Sequence, residues 1–327
     1  MKCKRTTRNS LRCSYSSSSS AGGYNMKTKR TRRNSLRYSS PDDDCWELIL
    51  KNLVMDDEDY HSLSLVSKQF LSITNRLRSS LTIKSYYDQT TIQVLDLIGR
   101  FPNLTSLHLC GRQCGDLNNL LPQISTLSFN NLTSLKLSNL HTMPVNGLLD
   151  FSQNINKTLT SFTCSYTDYL TDTHIFLIID CFPNLQLLDL SRCDHISQHA
   201  ISLVLSGCLN ITHLNLAASC SGVKLHRMMN FQAPKLEVLN LSYSTVDDLT
   251  LNVISNTCGG LLQLLLEYCD YVTHNGVNRA LQNCTKLREI NLNRVEFNTV
   301  RFDVASMVLL RPSLRKITFG HGLCWVR

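Results

Sequence analysis

The chain lacks any apolar run close to the ~18 residues that a membrane-spanning helix needs, although apolar residues make up 43% of its 327 residues. Its N-terminus is basic, but serines follow where a signal peptide would have its apolar segment. Both absences predict a soluble chain that is not secreted, that lies in the cytoplasm, the nucleus or both, and that has no membrane partner. The length suffices for one large domain or two smaller ones.

Acidic residues are absent from residues 1–39, which hold eleven Lys or Arg. The whole chain has 33 basic and 25 acidic residues, so residues 40–327 hold 22 basic and 25 acidic residues and carry a net charge of −3. A nucleic-acid-binding domain is expected to carry a basic patch on its folded part. The charge distribution therefore predicts no nucleic-acid partner and confines the positive charge to a tail.

No C-x-x-C pair occurs among the 14 cysteines, and Cys110 and Cys114 form a lone C-x₃-C. Zinc sites in proteins usually contain such pairs, so we predict no metal and no cofactor. In a chain that is not secreted, cysteines are expected to stay reduced and to pack as small apolar residues. The sequence also lacks G-x₄-G-K-[ST], H-E-x-x-H and G-x-S-x-G motifs. These absences disfavour an enzyme, and we predict no catalytic residue.

The first 39 residues contain two similar copies of one segment. MKCKRTTRNSLRCS begins at Met1 and MKTKRTRRNSLRYS begins at Met26, which makes Met26 a second candidate start of translation. Serine and glycine predominate between the copies, so the tail is expected to be disordered. Residues 27–33 are either a nuclear-localisation or acidic-partner patch or part of a solvated leader with no specific role.

A repeat of the form L-x-x-L-x-L occupies most of the remaining chain. Its copies begin 25–28 residues apart, a spacing that is the signature of leucine-rich repeats. The leucines of each L-x-L would point into a core and the intervening residues outward. The predicted fold is an α/β solenoid with a parallel strand ladder, outer helices and nine to ten repeats over residues 82–327. The copies begin at Leu104, Leu132, Leu159, Leu185, Ile211, Leu236, Leu261, Leu287 and Leu314, with a degenerate tenth copy at Arg78.

Four segments between the predicted strands have apolar residues at helical spacing and end in cysteine. Cys193 and Cys269 instead follow strands, at a position where they can bond to the turn backbone. The arrangement resembles the cysteine-containing class of leucine-rich repeats. The repeats that begin at Leu132 and Leu159 lack the pattern, and irregular outer segments are expected there. The helix-ending residues are Cys181, Cys208, Cys258 and Cys284.

Residues 41–81 do not fit the repeat and predict two or three short helices. Pro41 suits the first position of a helix, and the aspartates after it suit a helix N-terminus. An acidic loop, MDDEDYH, is expected next, and then a helix from Leu63 to Phe70. The segment is either an N-terminal cap for the repeats or a module that docks a partner. The apolar stripe of its first helix comprises Trp46, Ile49, Leu50 and Leu53.

The stretch PDDDCWELILKNL, followed by SLSLVSKQF, resembles an F-box. It has the proline, the acidic start, the Ile/Leu-rich helix and then the Leu-x-x-Val-Ser-Lys-x-Phe run, although Ser40 stands where the family usually has leucine. The match covers residues 40–81. Together with the repeats that follow, it makes the chain similar to plant-type F-box/leucine-rich-repeat proteins.

This resemblance implies a non-catalytic substrate receptor of an SCF-type (cullin–RING) ubiquitin ligase. The F-box would dock a Skp-family linker protein, and the repeats would hold an unidentified protein substrate for ubiquitination and proteasomal degradation. The alternative is a leucine-rich-repeat interaction module in which residues 41–81 are a cap with no ligase role. By resemblance, the docking surface would be formed or supported by Pro41, Leu48, Ile49, Leu50, Leu53, Leu63, Val66 and Phe70.

Substrate contact is expected on the outward-facing residues of the strands. This face is polar, nearly neutral toward its N-terminal end and acidic at Glu267 and Glu289, which suits a protein partner. Nine strands spaced by ~4.8 Å would give it a length of about 40 Å. The expected face comprises Ser106, His108, Lys136, Thr163, Asp189, His213, Asn215, Asn240, Glu267, Glu289, Asn291 and Lys316.

Overall fold

The computed structural model describes residues 42–53, 57–84, 91–111, 116–127, 131–167, 169–219, 233–295, 303–320 and 322–326. The chain divides into a unit Met1–Asp42 and a compact unit Asp43–Arg327. The duplicated tail and Pro41 lie outside the described residues, so what the sequence predicts for them stays a prediction. The described helices and strands belong to the unit that begins at Asp43.

Three short helices precede the repeats. α3 begins after Ser67, whose side chain accepts a hydrogen bond from the backbone N–H of Phe70. Two predictions are wrong here. The acidic segment is helical from Asp57 onward, and the run from Leu63 to Phe70 is divided between two helices because Ser67 starts a new one. The helices are α1 (Asp43–Lys51), α2 (Asp57–Ser64) and α3 (Lys68–Leu77).

The described strands form one eleven-stranded sheet whose order follows the chain. Strands β1 to β10 pair in parallel, and β1 is the degenerate tenth copy. The predicted parallel ladder is therefore confirmed. The sheet closes with β11, which pairs antiparallel with β10 after Gly320 and Gly322 take φ angles of 61° and 90°. The strands are β1 (Ser80–Lys84), β2 (Ser106–Cys110), β3 (Ser134–Ser138), β4 (Ser161–Ser165), β5 (Leu187–Asp189), β6 (His213–Asn215), β7 (Val238–Asn240), β8 (Gln263–Leu265), β9 (Glu289–Asn293), β10 (Lys316–Gly320) and β11 (Leu323–Val326).

Helices also occupy most of the described connections between strands. The irregular outer segments expected after Leu132 and Leu159 are helices instead, α6 and α7, and α7 is the helix that the cysteine pattern predicted to end at Cys181. The start of α6 has no side-chain cap, because Pro144 stands at its N-cap position, and this removes the sequence signal that marks other helices. These helices are α4 (Thr91–Gly99), α5 (Leu117–Thr126), α6 (Val145–Ile155), α7 (Asp172–Cys181), α8 (Gln198–Gly207), α9 (Asp248–Thr257), α10 (His274–Asn283) and α11 (Val304–Leu310).

A single hydrophobic core lies between the sheet and these helices. It is built from the strand leucines and the inward faces of the helices. Cysteines extend it at the predicted positions, since Cys181 ends α7 and Cys208 follows α8 as its C-cap. The thiol of Cys193 donates to the carbonyl of Cys164 at 3.1 Å, one repeat earlier. The acceptor lies in strand β4, so this thiol bonds to the backbone of the preceding strand, whereas the sequence predicted a bond to the turn. Among the described residues, no helix is both long enough and apolar enough to span a membrane.

Candidate partner-binding surfaces

One aromatic contact and several polar contacts join α1 to α3. The rings of Trp46 and Phe70 lie 5.1 Å apart between centroids, at an interplanar angle of 54°. Leu50, which is 5% exposed, is the buried residue of α1. The two helices therefore form one unit that holds the remaining apolar side chains of α1 outward. The polar contacts are Gln69 Nε2 to Asp43 Oδ1 at 2.7 Å, Arg76 Nη2 to Asp43 Oδ2 at 3.4 Å, and an ion pair of Arg76 with Glu47.

Several large apolar side chains of the segment that holds α1–α3 are exposed. Four residues assigned to linker docking are exposed: Leu48 (66%), Val66 (64%), Leu53 (57%) and Ile49 (48%). Of the others, Leu50 is buried, and Leu63 and Phe70 are half-buried. Exposed apolar clusters of this kind commonly mark interaction sites. The structure thus separates residues that can touch a partner from residues that support them.

Two further exposed residues belong to the same helical segment and were missed by sequence reasoning. Leu65 is 72% exposed and Leu71 is 42% exposed. Leu65 lies in the turn between α2 and α3, so a helical periodicity that runs through the turn assigns it to the wrong face. The N-cap signal at Ser67 is the feature that could have placed that turn.

The helical segment also contacts the first repeats through Arg78. Its guanidinium carbon lies 5.3 Å from the ring centroid of Tyr60, in α2, and 5.4 Å from that of Phe101, after α4. A cleft of about 180 Å³ beside these groups is also lined by His61 and Arg100. Cation–π contacts of this type stabilise by about 0.5–1 kcal/mol at exposed sites. Arg78 thus connects the helices to the start of the solenoid.

The outward-facing residues of the strands form a continuous surface. In the register of the sheet, residues at equivalent positions of successive strands line up in rows across this surface. We call this surface the ladder face. Seven of the residues predicted to bind substrate lie in its middle row, and the row before it holds Ser106, His213, Glu289 and Lys316. Thr163 occupies the same middle row but is 8% exposed. In order, the middle row is Thr82, His108, Lys136, Thr163, Asp189, Asn215, Asn240, Leu265, Asn291 and Thr318.

Glu267 does not lie on a strand, contrary to the prediction. Leu265 occupies the expected ladder position, between Asn240 and Asn291. Glu267 follows β8 by two residues, and its carboxylate accepts a hydrogen bond from Asn293 Nδ2 at 2.8 Å. The repeat that begins at Leu261 places Leu264 and Leu266 inward, as the structure does, so the prediction at Glu267 is wrong because β8 ends at Leu265.

The acidity expected at the C-terminal end of the ladder face is smaller than predicted. Glu289 pairs with Lys316 on the neighbouring strand, with 2.5 Å between Nζ and Oε1. That contact cancels one of the two carboxylate charges. Glu267 keeps its charge but is held by amide groups of β9. The ladder face is therefore polar with little net charge.

At the other end of the ladder face, His108 is held near its neighbours. Its Nε2 lies 2.7 Å from the hydroxyl of Ser138. Burial lowers the pKa of His108, and the charges of Lys136 and Lys84 lower it further. The folded chain therefore favours the neutral imidazole at pH 7. Its free energy of unfolding should decrease as the pH falls below about 6.5, the ordinary pKa of histidine, because the unfolded chain binds the proton more readily.

No group of three or more metal-ligating side chains occurs within the part of the chain that the structure describes. The ten described cysteines are free thiols. The histidines of the described residues stand singly along the repeats.

No protein-family model matches the chain, but two curated proteins are similar to it at low identity. F-box/LRR-repeat protein 4 of Bos taurus is 24% identical over 308 aligned residues, which cover 83% of this chain and 49% of that protein. DNA repair protein rhp7 of Schizosaccharomyces pombe is 24% identical over 208 residues, which cover 63% of this chain and 32% of that protein. The chain spans about half or less of the length of these relatives.

A solved structure of similar fold is that of the leucine-rich repeat-containing protein LegL7 from Legionella pneumophila. It superposes with a TM-score of 0.53 at 17% sequence identity, over 81% of this chain and 88% of that one. This likeness and the sheet topology together show the leucine-rich-repeat fold.

Proposed function

We propose that this chain is a non-catalytic substrate receptor of an SCF-type (cullin–RING) ubiquitin ligase. The observation that carries the proposal is the three-helix segment with exposed apolar side chains, placed directly before a leucine-rich-repeat sheet. The similarity to F-box/LRR-repeat protein 4, over 83% of this chain, supports the same assignment. The hydrogen bond from Cys193 to the backbone of the preceding repeat's strand supports the cysteine-containing class of repeats and, with the F-box-like segment, the plant-type family.

The docking surface for a Skp-family linker protein would be the exposed side of α1–α3. Leu48, Ile49, Leu53 and Val66 would contact the linker, because each is about half exposed or more in the unbound chain. Leu50, Leu63 and Phe70 would support that surface from beneath, and Pro41 would complete it. Burial of such side chains contributes roughly 25 cal/mol of binding free energy per Å² of apolar surface. Burial of all four can therefore dominate the affinity of the chain for the linker.

The ladder face would hold the protein substrate. It presents amides, hydroxyls and imidazoles with little net charge, which suits a protein surface, and it is long enough for a standard interface of about 800 Å² per partner. Holding the substrate near the conjugating enzyme replaces a bimolecular encounter by an effectively unimolecular one. The rate gain on this proposal therefore needs no nucleophile from this chain, which would act in the cytoplasm, the nucleus or both.

A structural role for α1–α3 is supported by a separate contact. Arg78, between the rings of Tyr60 and Phe101, links these helices to the first strand and its neighbouring repeat. The helices would thus cap the open end of the sheet as well as dock the linker. The two roles use different residues, so they can be tested separately.

Co-purification with the linker protein tests this proposal. The full chain would be co-expressed with an affinity-tagged Skp-family linker. The linker would be purified through its tag, and the eluate would be analysed by size-exclusion chromatography. We expect a stoichiometric complex. In cells that express the chain without residues 41–81, we expect the proteins that are degraded through it to accumulate. A linker that elutes separately from a folded chain would overturn the ligase role and leave the interaction module with a helical cap.

A further inference from the structure

Seven successive repeats place a residue other than glycine in the left-handed helical region, directly after or close to the end of the strand. Their φ angles lie between 54° and 59°. Glycine adopts this conformation without steric cost, whereas other residues lose roughly 1–2 kcal/mol. The fold requires the conformation because each N–H continues the ladder, as when Tyr243 donates to the carbonyl of Glu267 at 2.7 Å. The residues are Asn139, Tyr166, Arg192, Ala218, Tyr243, Tyr268 and Arg294.

Five of these residues carry planar groups that stack in the order of the repeats. The guanidinium of Arg192 lies 4.9 Å from the ring centroid of Tyr166. The rings of Tyr243 and Tyr268 are stacked at 4.8 Å and 23°, and Arg294 lies 5.9 Å from the ring of Tyr268. We call these five side chains the planar row. Tyr166 and Tyr243 remain 52% and 47% exposed, so the row is open to a partner.

The planar row is interrupted at one position, Ala218. Arg192 stands one repeat before it and Tyr243 one repeat after it. Because neighbouring strands are ~4.8 Å apart, the backbone positions that carry these two groups are separated by roughly 10 Å. This is room for one further planar group at stacking distance from both. The methyl group of Ala218, which is half-buried, forms the floor of the gap.

The two walls of the gap determine which side chain fits it. An aromatic ring would meet a cation on one face, at Arg192, and a phenol ring on the other, at Tyr243, and both contacts are favourable. A lysine or arginine of a partner would be repelled by Arg192. An aliphatic side chain would fill the space but would gain neither the cation–π nor the ring-stacking contribution.

We propose that the gap at Ala218 binds one aromatic side chain of a protein partner. This proposal rests on the proposed function for the partner's identity, the recruited substrate, and deepens it by stating how that substrate is anchored. In that position, the aromatic side chain would be the sixth planar group of a stack along the edge of the ladder face. The ladder face itself would then contact the residues that flank the anchor.

Saturation-transfer difference NMR with two matched probes tests the proposal. N-acetyl-tryptophanamide and N-acetyl-leucinamide would each be titrated into the full chain. We expect saturation of the tryptophan probe, at least a fivefold weaker signal for the leucine probe, and loss of the tryptophan signal in Ala218→Tyr, which fills the gap. Tyrosine already adopts this backbone conformation in two adjacent repeats, so the variant should fold.

Controls keep the outcome interpretable. Arg192→Ala, which removes only an exposed wall of the gap, should weaken the tryptophan signal at least threefold, whereas Arg294→Ala, at the end of the planar row, should leave it unchanged. Equal binding of both probes, or unchanged binding by Ala218→Tyr and Arg192→Ala, would overturn the proposal. A Leu48→Asp, Val66→Asp chain should bind the probe normally, so failure of the ligase role would be seen separately.

Discussion

The indole of Trp46 lies 5.1 Å from the phenyl ring of Phe70, centroid to centroid, and this contact joins α1 to α3. Because the tilted rings are in contact, Phe70 is partly buried within the helical segment. Leu48 and Val66 are among the exposed apolar residues of the segment that a partner can reach. The relationship thus separates the internal packing of the segment from its candidate docking surface.

Replacing Trp46 by alanine should destabilise the helical segment while leaving the solenoid intact. The loss of a half-buried indole and of its ring contact should cost about 2 kcal/mol. Hydrogen exchange should become faster for amides of α1 and α3 and stay slow for the strands. Trp325→Ala, in β11, is the matched control, because it removes the other tryptophan at the opposite end of the sheet. Equal protection of α1 and α3 in Trp46→Ala and the unmodified chain would contradict this prediction.

Asp172 and Asp248 should contribute to stability through one shared device. Asp248, in the first turn of α9, accepts hydrogen bonds from the backbone N–H and hydroxyl of Thr273, the N-cap of α10, at 2.8 and 2.5 Å. Asp172 does the same for Ser197 before α8. Alanine at either position should cost about 1–2 kcal/mol of unfolding free energy in urea titrations. Asp270→Ala, at an exposed turn, is expected to change it by less than about 0.5 kcal/mol.

The thiols should differ widely in reactivity. Burial raises the pKa of Cys164 and Cys284 to about 12, whereas Cys45 and Cys324 are exposed. Alkylation with iodoacetamide at pH 8, read out by peptide mass spectrometry, should modify the two exposed thiols first and the two buried ones only on unfolding. Rapid native labelling of Cys164 would contradict the structure.

The raised pKa values of the buried thiols also determine how stability should change at alkaline pH. Burial also raises the pKa of Cys193, Cys208 and Cys258 to about 11. The unfolded chain releases these protons near the ordinary value of about 8.5, so the folded chain binds more protons above it and stability falls as pH rises. The contribution should be complete below pH 8 and be lost progressively toward pH 11–12. Urea midpoints at pH 7.5 and 9.5 test this direction.

The strands and several outer helices could be predicted because their signals are local and repeated. Leu188 and Leu214 recur at a fixed spacing, and Ser197 marks the start of α8 by its cap. α6 was missed because Pro144 offers no cap, and its helical state depends on packing against α5 and α7. The error at Glu267 has a related cause, since only the pairing with the neighbouring strands shows that β8 ends at Leu265.

The candidate docking surface was only partly predictable. A helical stripe indicates which residues share a face, but it does not say which face is covered by another helix. Leu50 is buried and Leu48 is exposed because Trp46 and Phe70 determine how α1 lies on α3. The planar row was also missed, because a tyrosine or arginine in left-handed conformation is imposed by the repeat geometry and leaves no signal in the local sequence.

The affinity of a purified Skp-family linker for the full chain tests the central claim most directly. Isothermal titration calorimetry would compare the unmodified chain with Leu48→Asp, Val66→Asp and with the control Leu149→Asp, Leu309→Asp, whose residues are exposed on α6 and α11. We predict binding by the unmodified chain and the control, and at least a tenfold weaker affinity, about 1.4 kcal/mol, for the helical variant. An equal affinity of the helical variant and the control, or no binding by the folded unmodified chain, would contradict the account.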